Sequence, residues 1–123
     1  MIIIGDKLIP FEKVVYIKNI ENIKDTKANS TIIFNYNEET LKYSYDNELP
    51  VAVIVKSIKE AIYCNSLNAK YIISEIDVAT HIQKIADSYM YDSKNLVIID
   101  SNEEFEDITK NEIDGVIYRD LIK

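Results

Sequence analysis

This sequence of 123 residues has two glycines, two prolines, one cysteine, one histidine and no tryptophan. So few glycines and prolines exclude a collagen-like chain and a Gly/Pro-rich disordered chain. The single cysteine, Cys64, excludes an internal disulfide and favours a reducing, cytoplasmic environment. Gly5 and Gly115 are too far apart to form a phosphate-binding loop or a dinucleotide-binding turn, which need clustered glycines.

Positive charge is also scarce. The chain has 14 Lys and Arg residues against 21 Asp and Glu residues, a net charge of −7, and Arg119 is its only arginine. Binding to nucleic-acid phosphates needs clustered Lys and Arg, so we expect no nucleic-acid partner. The chain lacks a run near the ~20 apolar residues that cross a bilayer, and residues 1–4 are too short for a signal sequence. We therefore expect a soluble cytoplasmic protein without a membrane partner.

Six continuous apolar runs of strand length are present. They cover residues 14–17, 31–35, 51–55, 71–74, 96–100 and 116–118. Because these runs do not alternate, both faces of each strand should be buried, as in a parallel sheet covered by helices on two sides. We expect eight strand residues in the core: Ile33, Val53, Ile54, Ile72, Ile73, Val97, Ile98 and Ile117.

The segments between the runs predict helices. They cover residues 19–24, 38–46, 57–67, 76–91 and 102–110. In the third of these, Ile58, Ala61 and Ile62 lie on the side expected to face the core. Alternating strands and helices predict parallel βαβ units. The predicted fold class is α/β, a single three-layer domain over residues 1–123 with a mostly parallel sheet.

Two of the strand–helix units resemble each other. Residues 53–60 match residues 97–104, and both strands lead into a Ser-x-x-Glu sequence, which begins at Ser57 and at Ser101. This sequence predicts a capping box at the start of each helix. The match is explained by duplication or by convergence of two similar units.

The N-terminus has a different pattern. Apolar residues 2–4 are followed by Gly5, Asp6 and Lys7 and then by Leu8 and Ile9, which predicts a short β-hairpin over residues 1–10. An exposed apolar edge of such a hairpin would pair with a second copy, so we expect a homodimer. The alternative is that the segment covers the core of its own chain.

Residues 68–73 (NAKYII) and 112–117 (EIDGVI) carry a resemblance to consecutive βα units of TIM-barrel phosphodiesterases and phosphate-binding barrels. The resemblance implies a half-barrel winding of the C-terminal part. The metal ligands and acid–base residues of those enzymes have no counterpart here, so we predict no catalytic residue, no metal and no cofactor. A full barrel has about 250 residues. A flavodoxin-like open sheet is therefore the alternative and fits the length better.

In an open parallel sheet, ligands bind beyond the carboxyl ends of the strands. The candidate ligand-binding residues there are Lys56, Glu75, Asp100, Ser101 and Arg119. A lysine, a carboxylate and an arginine at one edge predict a site for a small anionic or phosphorylated ligand. The alternative is a rim of salt bridges and helix caps.

Other reactive side chains are isolated. His81 has only Asp77 one turn earlier, a pair that is usually solvated on a helix, and Cys64 has no histidine near it in sequence. The nine tyrosines are more informative, because tyrosine is enriched at protein interfaces. Tyr89 and Tyr91 are two residues apart, like Tyr43 and Tyr45, so one tyrosine of each pair should point away from the core.

The sequence therefore favours a non-enzymatic interaction or assembly module that associates with itself or with another protein. The alternative is a protein that binds, or an enzyme that acts on, a small anionic or phosphorylated ligand at the carboxyl ends of the strands.

Overall fold

The structure is a computed structural model that describes residues 1–26 and 29–123. These residues form seven β-strands: β1 (Ile2–Ile4), β2 (Val14–Tyr16), β3 (Thr31–Asn35), β4 (Val51–Ile54), β5 (Tyr71–Ser74), β6 (Lys94–Ile99) and β7 (Gly115–Tyr118). They also form four α-helices: α1 (Glu38–Asp46), α2 (Ile58–Ser66), α3 (Ile76–Tyr89) and α4 (Phe105–Lys110). Short 3-10 helices span Ile20–Asp25, Asn102–Glu104 and Arg119–Ile122, and the last of these is called the C-terminal 3-10 helix below.

The strands form one all-parallel sheet in the order β1-β7-β6-β5-β4-β3-β2. From β2 to β7 each strand lies beside its successor in the chain, which confirms the predicted succession of βα units. This consecutive strand order corresponds to the half-barrel winding and not to a flavodoxin-like sheet. In a flavodoxin-like sheet the strand order reverses direction at a switch point. The sheet is curled, so that the C-terminal 3-10 helix, which follows β7, packs against β2.

Both faces of the sheet are buried, as predicted, but they are covered differently. Alternate strand residues such as Val53, Ile72 and Val97 pack against residues of α1 to α4. The opposite residues, such as Ile73 and Ile117, pack on one another and on the C-terminal 3-10 helix. The four α-helices thus cover one face. The other face is covered by the C-terminal 3-10 helix and by the side chains that the curled sheet brings against one another. The eight predicted core residues are buried except Ile54, which is half-buried.

The N-terminal hairpin over residues 1–10 was a wrong prediction. β1 pairs in parallel with β7, and the Ile2 amide donates to the Asp114 carbonyl oxygen at 3.0 Å. Residues 8 and 9 do not return as a strand, because the Asp6 carboxylate accepts from the Leu8 amide and bends the chain, and Leu8 is exposed. The apolar N-terminus is therefore the seventh strand of the chain's own sheet.

The two Ser-x-x-Glu sequences begin helices as predicted. The Ser57 hydroxyl accepts from the Glu60 amide at the start of α2, while the Glu60 carboxylate accepts from the Lys56 amide. The Ser101 hydroxyl accepts from the Glu103 amide, and the Glu104 carboxylate accepts from the Ser101 amide. This second cap starts a 3-10 turn that continues into α4.

Candidate functional site

The carboxyl ends of β5, β6 and β7 bring three predicted site residues together. The guanidinium of Arg119 donates from Nη1 and Nη2 to the two oxygens of Glu75, at 2.9 and 2.8 Å. Its Nε donates to Asp100 Oδ1 at 2.8 Å. The three side chains therefore form one cluster that connects three adjacent strand ends, called the Arg119 cluster below.

The Arg119 cluster has little capacity for an anion. Its hydrogen bonds with Glu75 and Asp100 raise the pKa of Arg119 further above its ordinary value. Two carboxylates against one guanidinium give the cluster a formal charge of −1, and three of the five guanidinium N–H groups are already used. The arrangement matches the salt-bridged rim that was the alternative to a ligand site. The residues are partly exposed, so their contribution to stability is modest.

Lys56 and Ser101 are not part of the Arg119 cluster. The Lys56 side chain is exposed and makes no salt bridge with residues 1–26 or 29–123. Ser101 uses its hydroxyl as the helix cap described above. Of the five predicted site residues, the structure thus joins three through direct contacts. Whether they bind a ligand stays a prediction.

A large cavity lies at the opposite edge of the sheet. It has a volume of about 920 Å³ and is lined by the amino ends of β4, β5 and β6 and by the C-terminal ends of α1 and α2, including Pro50, Lys70, Tyr71 and Lys94. Neither Lys56 nor Arg119 lines it. Both lysines and carboxylates line the cavity, so its charge is mixed. The Nζ atom of Lys70 is already paired with Glu12 Oε2 at 2.7 Å.

A second cavity is an apolar groove on the outer surface of the helix layer. It lies between α2 and α3, has a volume of about 640 Å³, and is lined by Ile62, Asn65, Ser66, Ile85, Tyr89 and Tyr91. Ile62 is 47% exposed and Tyr89 is 76% exposed. Among the residues that the structure describes, no carboxylate lines the groove. We call this cavity the α2–α3 groove.

The sequence pattern pointed to this groove only in part. The spacing of Tyr89 and Tyr91 predicted that one of them leaves the core, and Tyr89 is strongly exposed while Tyr91 is half-buried. The expectation that Ile58 and Ile62 face the core was wrong. The buried residues of α2 are Ala61 and Cys64, because small side chains let the helix approach the sheet closely.

Cys64 and His81 are the two isolated reactive residues. Cys64 is fully buried, and burial raises the pKa of its thiol to about 12, so it stays protonated and unreactive at neutral pH. His81 is exposed on α3. Within residues 1–26 and 29–123 no group of His, Cys, Asp and Glu side chains has the arrangement of a metal site. Nor does this part of the chain contain a helix with the length and apolar character to cross a bilayer.

By fold the chain is an α/β protein with a singly wound, curled parallel sheet. No protein-family model matches it, and no curated protein matches it.

Proposed function

We propose that this protein is a non-enzymatic interaction module and that it contacts its protein partner through the α2–α3 groove. The observation that carries the proposal is the exposure of Ile62 and Tyr89 on either side of an apolar depression. Ile58, one turn before Ile62 on α2, is also exposed and extends the apolar surface. Contiguous apolar surface on a folded protein is typical of an interaction site.

The charge distribution supports the same surface. The chain has a net charge of −7, yet the described lining residues of the groove have no charged side chain. Desolvating charged groups at an interface is costly, so the centre of a protein contact is depleted of them. Tyrosine supplies a large contact area with few rotatable bonds, which makes Tyr89 a suitable anchor residue.

The alternative, a small anionic ligand at the carboxyl ends of the strands, has less support. Such a ligand would have to compete with Glu75 and Asp100 for the guanidinium of Arg119. A thermal-shift screen against phosphorylated metabolites tests this alternative, because a ligand that binds the folded state raises the melting temperature.

Photocrosslinking in the native cells tests the proposed groove. With Tyr89 replaced by p-benzoylphenylalanine, we expect a discrete adduct of defined mass. The same replacement at Leu8, which is 84% exposed but lies between β1 and β2, is the matched control and should give none.

A second substitution makes the result specific. Adding Ile62→Asp to the Tyr89 variant places a charge in the groove and should abolish the adduct while the folded protein persists. An adduct that survives Ile62→Asp, or equal adducts from positions 89 and 8, would refute the proposed contact surface.

A further inference from the structure

We infer that the partner at the α2–α3 groove is a second copy of this chain, whose helix α1 lies in the groove. The inference rests on the proposed function and adds the identity and orientation of the partner. Each copy would supply one α1 and one groove, and the resulting dimer would be closed and two-fold symmetric.

The outward side of α1 has the chemistry that the groove requires. Glu39, Tyr43 and Asp46 follow each other at intervals of four and three residues, so they form one line along the helix. Tyr43 is 40% exposed, and a carboxylate lies on each side of it along this line. Asp46 is also bound to Lys42, at 2.8 Å. The helix therefore presents an aromatic ring between acidic side chains.

Basic side chains stand on the two helices that form the groove. Lys59 on α2 and Lys84 on α3 are exposed, and neither makes a salt bridge within the described residues. An acidic helix laid in the groove would bring Glu39 and Asp46 towards these two lysines, while Tyr43 meets Ile62, Ile85 and Tyr89. Lys59 is three residues before Ile62 and Lys84 directly precedes Ile85, so both lysines would lie beside the apolar contact and not within it. Opposite charges beside such a contact favour an acidic helix as partner over a basic one.

The order of the helices makes this contact reciprocal. α1, α2 and α3 connect β3 to β4, β4 to β5 and β5 to β6, and these strands are neighbours, so α2 lies between α1 and α3. A two-fold axis that runs alongside α2, between two helix layers facing each other, places α1 of each copy over the α2–α3 groove of the other. The side chains of α1 could then interdigitate with those of α2 and α3, as side-chain ridges and grooves do where helices pack.

Charge reversal with mixing tests the inference. One variant carries Glu39→Lys and Asp46→Lys, and the other carries Lys59→Glu and Lys84→Glu. By light scattering, the natural sequence should have twice the chain mass of 14.2 kDa. Each variant alone should be monomeric at the same concentration, because like charges then face each other in both symmetric contacts.

Mixing the two variants should restore the dimer. In a mixed pair each basic α1 meets an acidic groove and each acidic α1 meets a basic groove, so native mass spectrometry should show a 1:1 heterodimer. A control variant with Glu106→Lys and Asp107→Lys, on α4 outside this surface, should remain dimeric. Circular dichroism of each variant verifies that the fold persists.

The contrary outcomes separate this inference from the proposed function. A mixture that remains monomeric would overturn the placement of α1 in the groove. A natural sequence that is monomeric at all accessible concentrations would overturn the second copy as partner. The proposed function would survive that result if position 89 still formed its specific adduct with a protein of different mass, and it would fail with the inference if no adduct formed.

Discussion

Single residues in the turns from helix to strand have an unfavourable backbone conformation. Glu48, Asn68, Met90 and Glu112 follow α1, α2, α3 and α4, and all four have a positive φ between 53° and 62°. Glycine usually occupies this position, because a side chain in the left-handed region meets the following carbonyl oxygen. The sharp turns that return the chain to the sheet are therefore made at some cost in stability.

Glu112→Gly should stabilise the protein by about 0.5–1 kcal/mol. The substitution removes the steric cost of the left-handed conformation, and this gain is reduced by the greater conformational entropy of glycine in the unfolded chain. Glu112 is exposed, so little contact area is lost. Asn68→Gly is the matched control and should give a smaller gain, since asparagine tolerates this conformation. Urea unfolding measures both values. A loss of stability in Glu112→Gly would show that its side chain makes a contact more valuable than the backbone relief.

Glu12 connects three distant parts of the chain at the amino edge of the sheet. Its carboxylate accepts hydrogen bonds from Thr31, from Lys70 and from the Tyr71 hydroxyl. Burial alone would raise the pKa of Glu12, but the hydrogen bonds from Lys70, Thr31 and Tyr71 outweigh it and hold the pKa below its ordinary value.

A lowered pKa in the folded state makes the ionised form of Glu12 stabilising. This contribution is complete above the unfolded-state pKa, about 4.3 for glutamate, and it is lost as the pH falls through the lower folded-state value. The difference in unfolding free energy between the natural sequence and Glu12→Gln should therefore be largest near pH 7 and shrink below about pH 4. Urea titrations at several pH values measure it. A difference that does not depend on pH would contradict this role of the charge.

At the scale of the elements, helix starts are stabilised by local hydrogen bonds. Ser57 caps the nine-residue helix α2, and Ser101 caps the turn that leads into α4. Both caps satisfy amide groups that have no partner inside the helix. Because a cap needs only residues within one turn, its sequence signature is readable without the fold.

Replacing either capping serine with alanine should destabilise the protein by about 0.5–2 kcal/mol. Ser88→Ala on α3 is the control, since Ser88 is exposed in the last turn of the helix and is not an N-cap, and it should be neutral or slightly stabilising. The urea midpoint reports all three variants. If both capping variants unfold at the natural midpoint, the caps contribute nothing measurable.

At the scale of the whole molecule, the two ends of the chain meet in the sheet. β1 lies against β7 so closely that a Cβ on Gly115 would be 2.3 Å from the Ile2 carbonyl oxygen and 2.9 Å from Leu96. Glycine is required here by the close approach of backbone to backbone, not by an unusual φ. The pairing of β1 with β7 in the described residues therefore depends on the absence of a Cβ atom at Gly115.

Gly115→Ala should displace β1 from β7 and cost about 1–3 kcal/mol, the usual range for overpacking a core. Hydrogen exchange gives a second readout, because the Ile2 amide donates to the Asp114 carbonyl and should lose protection in the variant. Unchanged stability together with unchanged protection of this amide would show that β1 does not pair with β7 in this register.

Local sequence patterns were sufficient to locate the strands and helices of this protein. The runs of apolar residues marked six of the strands, and periodic patterns and capping serines marked the helices, with α1 at its observed bounds Glu38–Asp46. These signals are readable because strand character, helical periodicity and caps depend on residues close in sequence. The residues of the Arg119 cluster were also named from sequence, since parallel strands end at one edge.

Contacts between residues far apart in the chain became clear from the folded structure alone. It paired β1 with β7 instead of with residues 8 and 9, and it turned Ile58 and Ile62 of α2 outwards while Ala61 faces the sheet. The guanidinium of Arg119 also binds Glu75, which is 44 residues away in the sequence. The edge that was expected to bind an anion therefore holds a salt-bridged cluster. The physical reason is the same in each case. Strand order, curl and helix orientation arise from contacts between residues far apart in sequence, for which local patterns carry no signal.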